Sequence, residues 1–332
     1  MTIALSILDL APVAPGQTAR DSFVGSVALA QAAEKGGYTR VWYAEHHNMA
    51  TIASSATSVL IGHVAGKTSS IRLGSGGIML PNHSPLTIAE QFGTLESLYP
   101  GRIDLGLGRA PGSDQNTARA MRRDPRASDQ FPEDVLELQA FLSGESVVSG
   151  VQAFPGANTH VPLYILGSSL FGAQLAAALG LPFAFASHFA PDALAQAVAI
   201  YRRDFQPSKQ LEFSHVIAGV NVVAAENQAD AKAQLATTVR SRVRGMISRD
   251  RSAEEYSDDQ IDSFLTTREG QNIAKMMRFA VAGTPSEVRR YLLNFAVEAN
   301  ADELIIAHQS PVIEDRLRSV ELTGQVMAGV SV

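Results

Sequence analysis

Eight short apolar runs, each followed by a longer stretch with helical periodicity, constrain the fold of this chain more than any other feature. Such alternation is typical of βα units, which build a parallel sheet. Eight units favour a closed (β/α)8 TIM barrel over an open doubly wound sheet, and 332 residues suit such a barrel with insertions. No fixed repeat or low-complexity linker divides the chain, so we predict a single α/β domain over residues 1–332. The predicted strands are residues 3–8, 39–44, 71–79, 102–107, 162–166, 183–187, 215–223 and 303–307.

Two segments interrupt this alternation. Residues 143–161 are expected to form a small hairpin ahead of the fifth strand. Residues 240–277 follow the seventh strand, are polar, charged and helical in propensity, and are too long for an ordinary βα loop. They are interpreted either as a helical lid over the barrel mouth or as a solvated helical insertion.

Composition excludes several classes of protein. The formal net charge is −6 and no run of Lys and Arg occurs, so nucleic acid is not an expected partner. The absence of cysteine rules out disulfides, thiolate metal sites and cysteine nucleophiles, and a reducing cytoplasm is the simplest location. The first ten residues carry Asp9 in their apolar stretch and predict a strand, not a signal peptide. No run of eighteen apolar residues occurs, so we expect no membrane span.

The segment VWYAEHHNM, residues 41–49, ends an apolar strand in a carboxylate and two histidines, Glu45, His46 and His47. These groups are costly to bury without partners, so they indicate either a metal site or an active-site cleft. Adjacent strand residues point to opposite faces, and the HExxH spacing of a helical metal site is absent, so the metal interpretation is the weaker one. In a barrel, chemistry occurs at the carboxyl ends of the strands. Two separately satisfied structural histidines are the alternative.

A glycine-rich segment, RLGSGGIMLPNHSP at residues 72–85, lies in the third predicted strand. Glycine weakens a strand, and it usually marks a bulge or a place where a group lies flat against the backbone. Ser75, Gly76 and Gly77 are therefore candidates for contact with a planar ring. An ordinary bulge is the alternative.

Two further segments predict an anion site. Arg109 follows the fourth strand, where its guanidinium can hold a phosphate through two parallel hydrogen bonds. The segment around it is not a dinucleotide fingerprint, because Pro111 stands where G-x-G-x-x-G needs its third glycine. After the fifth strand, Gly167, Ser168 and Ser169 open a helix whose free N–H groups and hydroxyls can bind an anion. Simple capping of that helix is the alternative.

These motifs in this order resemble the luciferase-like monooxygenase superfamily, the flavin-dependent barrels that include bacterial luciferase. The resemblance rests on AEHHN, GSGGIMLPNHSP, LYPGRIDLGLGRAPG and YILGSS, followed by LGLPFAFASHF, and it is greatest to a single-chain bacterial branch. It extends over nearly the whole chain, with GTPSEV at residues 283–288 and ADEL at 301–304.

The resemblance implies roles for the candidate residues. His46 corresponds to a proton donor or acceptor beside the flavin, with Glu45 next to it. The Gly76–Gly77 bond corresponds to a non-prolyl cis peptide under the isoalloxazine ring, with Ser75 beside it. In the same way, Arg109, Gly167, Ser168 and Ser169 correspond to the binding site of the FMN phosphate.

The resemblance also implies a reaction. The protein is expected to use reduced FMN as a co-substrate, supplied by a separate flavin reductase, and O2 to oxidise an unknown small organic substrate, and to be a homodimer without a metal. Luciferase has a reactive cysteine where this chain has Gly108, so the resemblance does not extend to light emission. The alternatives are a deazaflavin-dependent dehydrogenase, a non-catalytic flavin-binding protein, and an unrelated phosphate-binding barrel such as an aldolase or isomerase.

Overall fold

Parallel strands close into a barrel in the computed structural model, which describes residues 3–110, 115–124, 126–247 and 256–329. Eight of the nine strands there form the ring β1-β2-β3-β4-β5-β6-β7-β9, which returns to β1. The short β6 pairs with β7 only as far as Ala218. The remaining strand, β8, pairs with the same edge of β7 further along, at Asn221–Ala224. The strands are β1 (Ala4–Asp9), β2 (Arg40–Tyr43), β3 (Arg72–Met79), β4 (Ile103–Gly108), β5 (Leu163–Gly167), β6 (Phe183–Phe185), β7 (Val216–Ala224), β8 (Ala280–Gly283) and β9 (Glu303–His308).

Helices surround the ring. Local signals define where several of them begin: Thr18 and Asp21 form a capping box before α1, and Thr284 and Glu287 form another before α11. No helix within the described residues is both long and apolar enough to cross a membrane. The helices are α1 (Ala19–Lys35), α2 (Thr57–Ala65), α3 (Pro85–Leu98), α4 (Gln115–Ala120), α5 (Phe131–Ser143), α6 (Leu170–Leu179), α7 (Leu194–Asp204), α8 (Gln228–Ile247), α9 (Asp258–Leu265), α10 (Arg268–Lys275), α11 (Pro285–Glu298) and α12 (Ile313–Met327).

All eight predicted strands are confirmed, and the closed α/β barrel with them. The hairpin predicted within residues 143–161 is wrong, since α5 runs to Ser143 and residues 145–162 contain no strand. This segment packs against α3 instead of pairing with itself: a Cβ on Gly156 would lie 2.4 Å from the Ala89 carbonyl oxygen.

The segment predicted to be helical after the seventh strand, residues 240–277, contains the end of α8 and all of α9 and α10. Its residues 248–255 lie outside the described residues. The helical prediction is thus confirmed where the chain is described, while a lid role stays a prediction.

Strand alternation divides the core into two layers. The larger lies between the strands and the surrounding helices, and includes Val41, Tyr43 and Leu105. The smaller fills the barrel interior with side chains from six strands: Leu8, Trp42, Ala44, Tyr164, Ala184, Ile217 and Ile305. The side chains of a strand alternate between its two faces. After these interior residues, every second side chain therefore faces the barrel mouth.

A charged network closes the opposite, amino-terminal end of the barrel. Arg40 donates to Glu303 at 2.9 Å, to Asp104 at 2.8 Å and to the Tyr164 hydroxyl at 2.6 Å. Trp42 Nε1 donates to the same Asp104 carboxylate at 3.1 Å. Both carboxylates are almost fully buried and satisfied by these donors, so this end is sealed and the mouth at the carboxyl ends is the open end.

Candidate active site

The carboxyl ends of β2 and β3 are joined through the buried carboxylate of Glu45. His47 Nε2 and His83 Nε2 each donate to Glu45 Oε1 at 2.8 Å, and the amide of Met79 donates to Oε2 at 3.0 Å. Glu45 is 1% exposed, whereas His46 and His47 are partly exposed. Glu45 and His47 therefore share one hydrogen-bonded cluster, and His46 lies between them in the segment that follows β2.

This geometry decides the charge of Glu45. Burial alone would raise its pKa, but the hydrogen bonds from His83 and His47 and from the Met79 amide outweigh it, and the pKa lies below its usual value. Glu45 is thus a carboxylate at neutral pH that holds two rings in place. Within the described residues, no group of three His, Cys, Asp or Glu has the geometry of a metal site.

The glycine run in β3 forms a bulge against β4. The pairing register shifts between Ser75 and Ile78, and the Gly76–Gly77 peptide bond is cis. A Cβ on Gly76 would lie 2.8 Å from Leu8 Cδ1, and a Cβ on Gly77 would lie 2.7 Å from the Gly106 carbonyl oxygen. Neither position has room for a side chain, so β3 presents bare backbone near the mouth, as contact with a planar ring requires. The Ser75 hydroxyl is turned to β4, where it donates to Gly106 O at 2.8 Å.

The ends of β4 and β5 bring Arg109 to the beginning of α6. The Arg109 guanidinium carbon lies 4.1 Å from the ring centroid of Phe171, which is in the first turn of that helix. Ser168 and Ser169 are both exposed there, and among the described residues no side chain caps the helix at Ser169. The first N–H groups of α6 are therefore not satisfied by a side-chain cap at Ser169, which opposes the capping alternative.

Sequence reasoning missed two groups of site residues. His83 was part of a quoted motif but received no role, although it contacts Glu45 as closely as His47 does. On the other side of the mouth, His188 follows β6 and crosses over β7, where a Cβ on Gly219 would lie 2.3 Å from His188 Nδ1. The signal available in the sequence was a glycine in the middle of an otherwise apolar predicted strand.

The polar groups on this side of the mouth continue into β9 and α8. The side chain of Asn221 accepts a hydrogen bond from Gln309 Nε2 at 2.9 Å and donates one to the carbonyl oxygen of His188 at 2.7 Å. Gln309 Oε1 in turn accepts from Arg242 of α8 at 3.2 Å. The mouth thus has two halves: one at β2–β5, with all the residues that sequence analysis selected, and one at β6, β7 and β9.

The comparisons with known proteins agree with this architecture. The sequence matches the luciferase-like monooxygenase family over residues 1–303. The chain belongs to this family. A protein named luciferase-like monooxygenase from Escherichia coli (strain K12) is 47% identical over 327 residues, which cover 98% of this chain and 97% of the relative. The N-acetyl-S-alkylcysteine monooxygenase of Bacillus subtilis (strain 168) is 33% identical and covers 92% of this chain and 92% of the relative.

Solved structures show the same barrel. The crystal structure of apo-MsnO8 has a TM-score of 0.87 at 34% identity and covers 98% of both chains. As a luciferase-like monooxygenase, this chain is a flavin-dependent oxidoreductase. The fold recurs at 16% identity (TM-score 0.72) in the oxygenating constituent of 3,6-diketocamphane monooxygenase in complex with FMN, matched over 98% of this chain and 97% of that one. An F420-dependent secondary alcohol dehydrogenase shares it at 15% identity (TM-score 0.70), over 98% of both chains. At such identities the likeness establishes the fold and not the cofactor.

Proposed function

We propose that this luciferase-like monooxygenase uses reduced FMN and O2 to oxidise a small organic substrate, with the reduced flavin supplied by a separate reductase. The observation that carries the proposal is the convergence of Arg109 with the uncapped beginning of α6, because a cation beside free N–H groups suits a single phosphate monoester. The relative that acts on N-acetyl-S-alkylcysteine supports a small organic molecule as the substrate class.

The residues present fit FMN. Arg109, Ser168, Ser169 and the backbone from Gly167 would hold the phosphate, and the bare backbone at Gly76 and Gly77 would accept the ring. When bound and reduced, the flavin supplies the electrons that activate O2. The chain itself binds and orients the reactants, and it excludes water from the mouth.

Proton transfer is assigned to His46, on the interior side of the β2 end. Glu45 acts on it indirectly, as a positioning residue: its carboxylate fixes the rings of His47 and His83 and ties the end of β2 to the Met79 amide on β3. This bracing holds the segment that carries His46 in place relative to the flavin site, as general acid–base catalysis requires.

Fluorescence titration with FMN, and with reduced FMN under anaerobic conditions, tests this function. We expect weak binding of the oxidised form and tighter binding of the reduced form, since a diffusible co-substrate has to enter reduced and leave oxidised. Parallel titration with F420 is the control for the deazaflavin alternative. Affinity for F420 with none for FMN would replace the monooxygenase by a dehydrogenase, and no affinity for any of them would refute the proposal.

Location and assembly are proposed on the family resemblance and on the lack of cysteine: a homodimer in the cytoplasm. Sedimentation of the purified protein measures its oligomeric state directly.

A further inference from the structure

Three arginines at alternate positions of α8 face two different environments. Arg240 pairs with Asp262 of α9 at 2.6 Å, and Arg244 pairs with Asp258 at 2.7 Å. Residues four apart lie on one face of a helix, whereas Arg242 between them is turned by about 200° to the opposite side. That side meets the barrel mouth, where the Arg242 guanidinium donates to Gln309 Oε1 at 3.2 Å.

The charge of Arg242 is largely desolvated, and it has no counter-ion within residues 3–110, 115–124, 126–247 and 256–329. Burial lowers its pKa, and no carboxylate among the described residues offsets the effect. Arg316, which is similarly buried on α12, has the charge of Asp9 near it. The neighbours of Arg242 are neutral amides, Gln309 and through it Asn221, both buried. A desolvated guanidinium is costly unless an anion completes it, so this site is built for a negative group that enters from the mouth.

His188 gives an independent indication on the same side of the mouth. Its Nδ1 atom is buried and has no hydrogen-bond partner among the described residues. Burial and the nearby charge of Arg242 lower the pKa of His188 to about 4, so the ring is neutral at physiological pH. This nitrogen packs against Gly219 of β7, and among the described residues its hydrogen-bonding capacity is unused while the charge of Arg242 acts on it.

We propose that Arg242, with Gln309 and His188, binds the carboxylate of an organic-acid substrate and orients it in the half of the mouth built on β6, β7 and β9. The proposal rests on the proposed function, since it presumes that FMN takes the β2–β5 half. A carboxylate matches the forked guanidinium through parallel hydrogen bonds, and the remaining body of the substrate then extends toward the ring. α8 thereby contributes to specificity through Arg242.

A phosphate group has the same chemistry for a guanidinium, so the two sources have to be distinguished. In the barrel ring, Arg109 and α6 follow β4 and β5, whereas the Arg242 site is built on β6, β7 and β9. A flavin phosphate held by Arg109 and α6 would leave the Arg242 site to the substrate. If the Arg242 site binds substrate, removing its charge leaves FMN affinity unchanged.

Calorimetric titration with matched carboxylates and amides tests the proposal. The probes are hexanoate, phenylacetate and 4-(methylthio)butanoate, each against its primary amide, with and without saturating FMN. We expect the wild type to bind the carboxylates at least tenfold more tightly than the amides, and Arg242→Ala to remove that preference, a loss of about ten- to a hundredfold. Arg242→Lys should restore part of it, and Arg240→Ala, on the outer face of the same helix, should keep all of it.

Three results would overturn the assignment: no carboxylate preference in the wild type, an unchanged preference in Arg242→Ala, or a selective loss of FMN over riboflavin in Arg242→Ala. Urea unfolding of Arg242→Met guards against a folding artefact, since removing an uncompensated buried charge should leave the midpoint unchanged or raised. The proposed function fails separately, if the wild type binds no FMN, and the carboxylate titration without FMN still decides this site.

Discussion

Glu45 shows at the scale of single residues how polar side chains at a strand end can satisfy one another. Its two carboxylate oxygens accept from His47, His83 and the Met79 amide, so almost all of its hydrogen-bonding capacity is used. The adjacent histidines then have different environments for a geometric reason. The His47 ring is tied to the buried carboxylate, and we expect the His46 ring to point the other way, as alternation continued beyond Tyr43 would place it.

The first prediction separates these two histidines. His46→Asn should change the rate at which O2 returns bound reduced FMN to its oxidised form, by about 10²–10⁴-fold if general acid–base catalysis is lost, while FMN affinity stays nearly constant. His47→Asn should instead lower the free energy of unfolding by about 1–3 kcal/mol, because it leaves the buried Glu45 carboxylate short of a donor. Stopped-flow flavin absorbance and urea unfolding measure the two effects. If His47→Asn changes the flavin reaction and His46→Asn does not, the two histidines lie on the faces opposite to those assigned here.

At the scale of elements, the anion site depends on β4 and α6 arriving at the same place. Arg109 reaches across to Phe171, so under the proposed function the cation and the helix dipole would act on one phosphate. A change at either element should therefore affect the same group of the flavin.

We expect Arg109→Ala, and separately Ser168→Ala with Ser169→Ala, to weaken FMN binding by about ten- to a hundredfold, because each removes charge-assisted or hydroxyl hydrogen bonds to the phosphate. Riboflavin lacks the phosphate, so its affinity should be nearly unchanged. Arg203→Ala is a matched control, since this arginine is 71% exposed near the end of α7 and pairs with its neighbour Asp204. Equal losses for FMN and riboflavin would indicate altered folding instead of a lost phosphate contact.

The sequence was sufficient for the elements with strong periodicity. The strands of the ring are short apolar runs between helical stretches, and each was found within a few residues. β8 was missed because its residues AVAG include one β-branched side chain, and among the described strands it pairs with β7 alone. The false hairpin had turn-forming residues, but its backbone packs against α3 near Gly156, a tertiary contact that local sequence does not encode.

The two halves of the mouth were predictable to different degrees for a related reason. Glu45, the Gly76–Gly77 bond and Arg109 lie in contiguous motifs, where several unusual residues stand together. Arg242 and Gln309 are single polar residues in separate elements. They are far apart in the chain and come together only in the folded barrel. A pattern within one segment cannot reveal a site that three or four segments share.

At the scale of the whole molecule, buried titratable groups link stability to pH. His308 on β9 lies in the outer layer, where its Nδ1 is 2.8 Å from the hydroxyl of Ser319 on α12. Its Nε2 is buried without a hydrogen-bond partner among the described residues, so protonation would add an unsatisfied donor. Burial, with the charge of Arg316 near it, lowers the pKa of His308 to about 3.

The sign of the effect follows from linkage. The ordinary pKa of histidine is 6.5, so as the pH falls below about 7 the unfolded chain takes up a proton at His308 before the folded chain does. The neutral ring costs nothing at higher pH, and stability is lost progressively from pH 7 toward pH 3. Between pH 7 and pH 5 this one residue should lower the free energy of unfolding by about 2 kcal/mol.

Urea unfolding of His308→Asn at pH 7, 6 and 5 checks this. The variant is expected to be less stable at pH 7, because the smaller side chain packs less well, but its free energy should fall by about 2 kcal/mol less than that of the wild type on going to pH 5. His188, with its pKa of about 4, also makes the free energy of unfolding fall as the pH falls. It does so equally in both proteins, so its effect cancels in the comparison. His63→Gln is the control, since His63 is exposed on α2 and its removal should leave the wild-type slope. Parallel curves for wild type and His308→Asn would contradict the assignment, because a ring that stays neutral in the folded barrel has to make unfolding easier in acid.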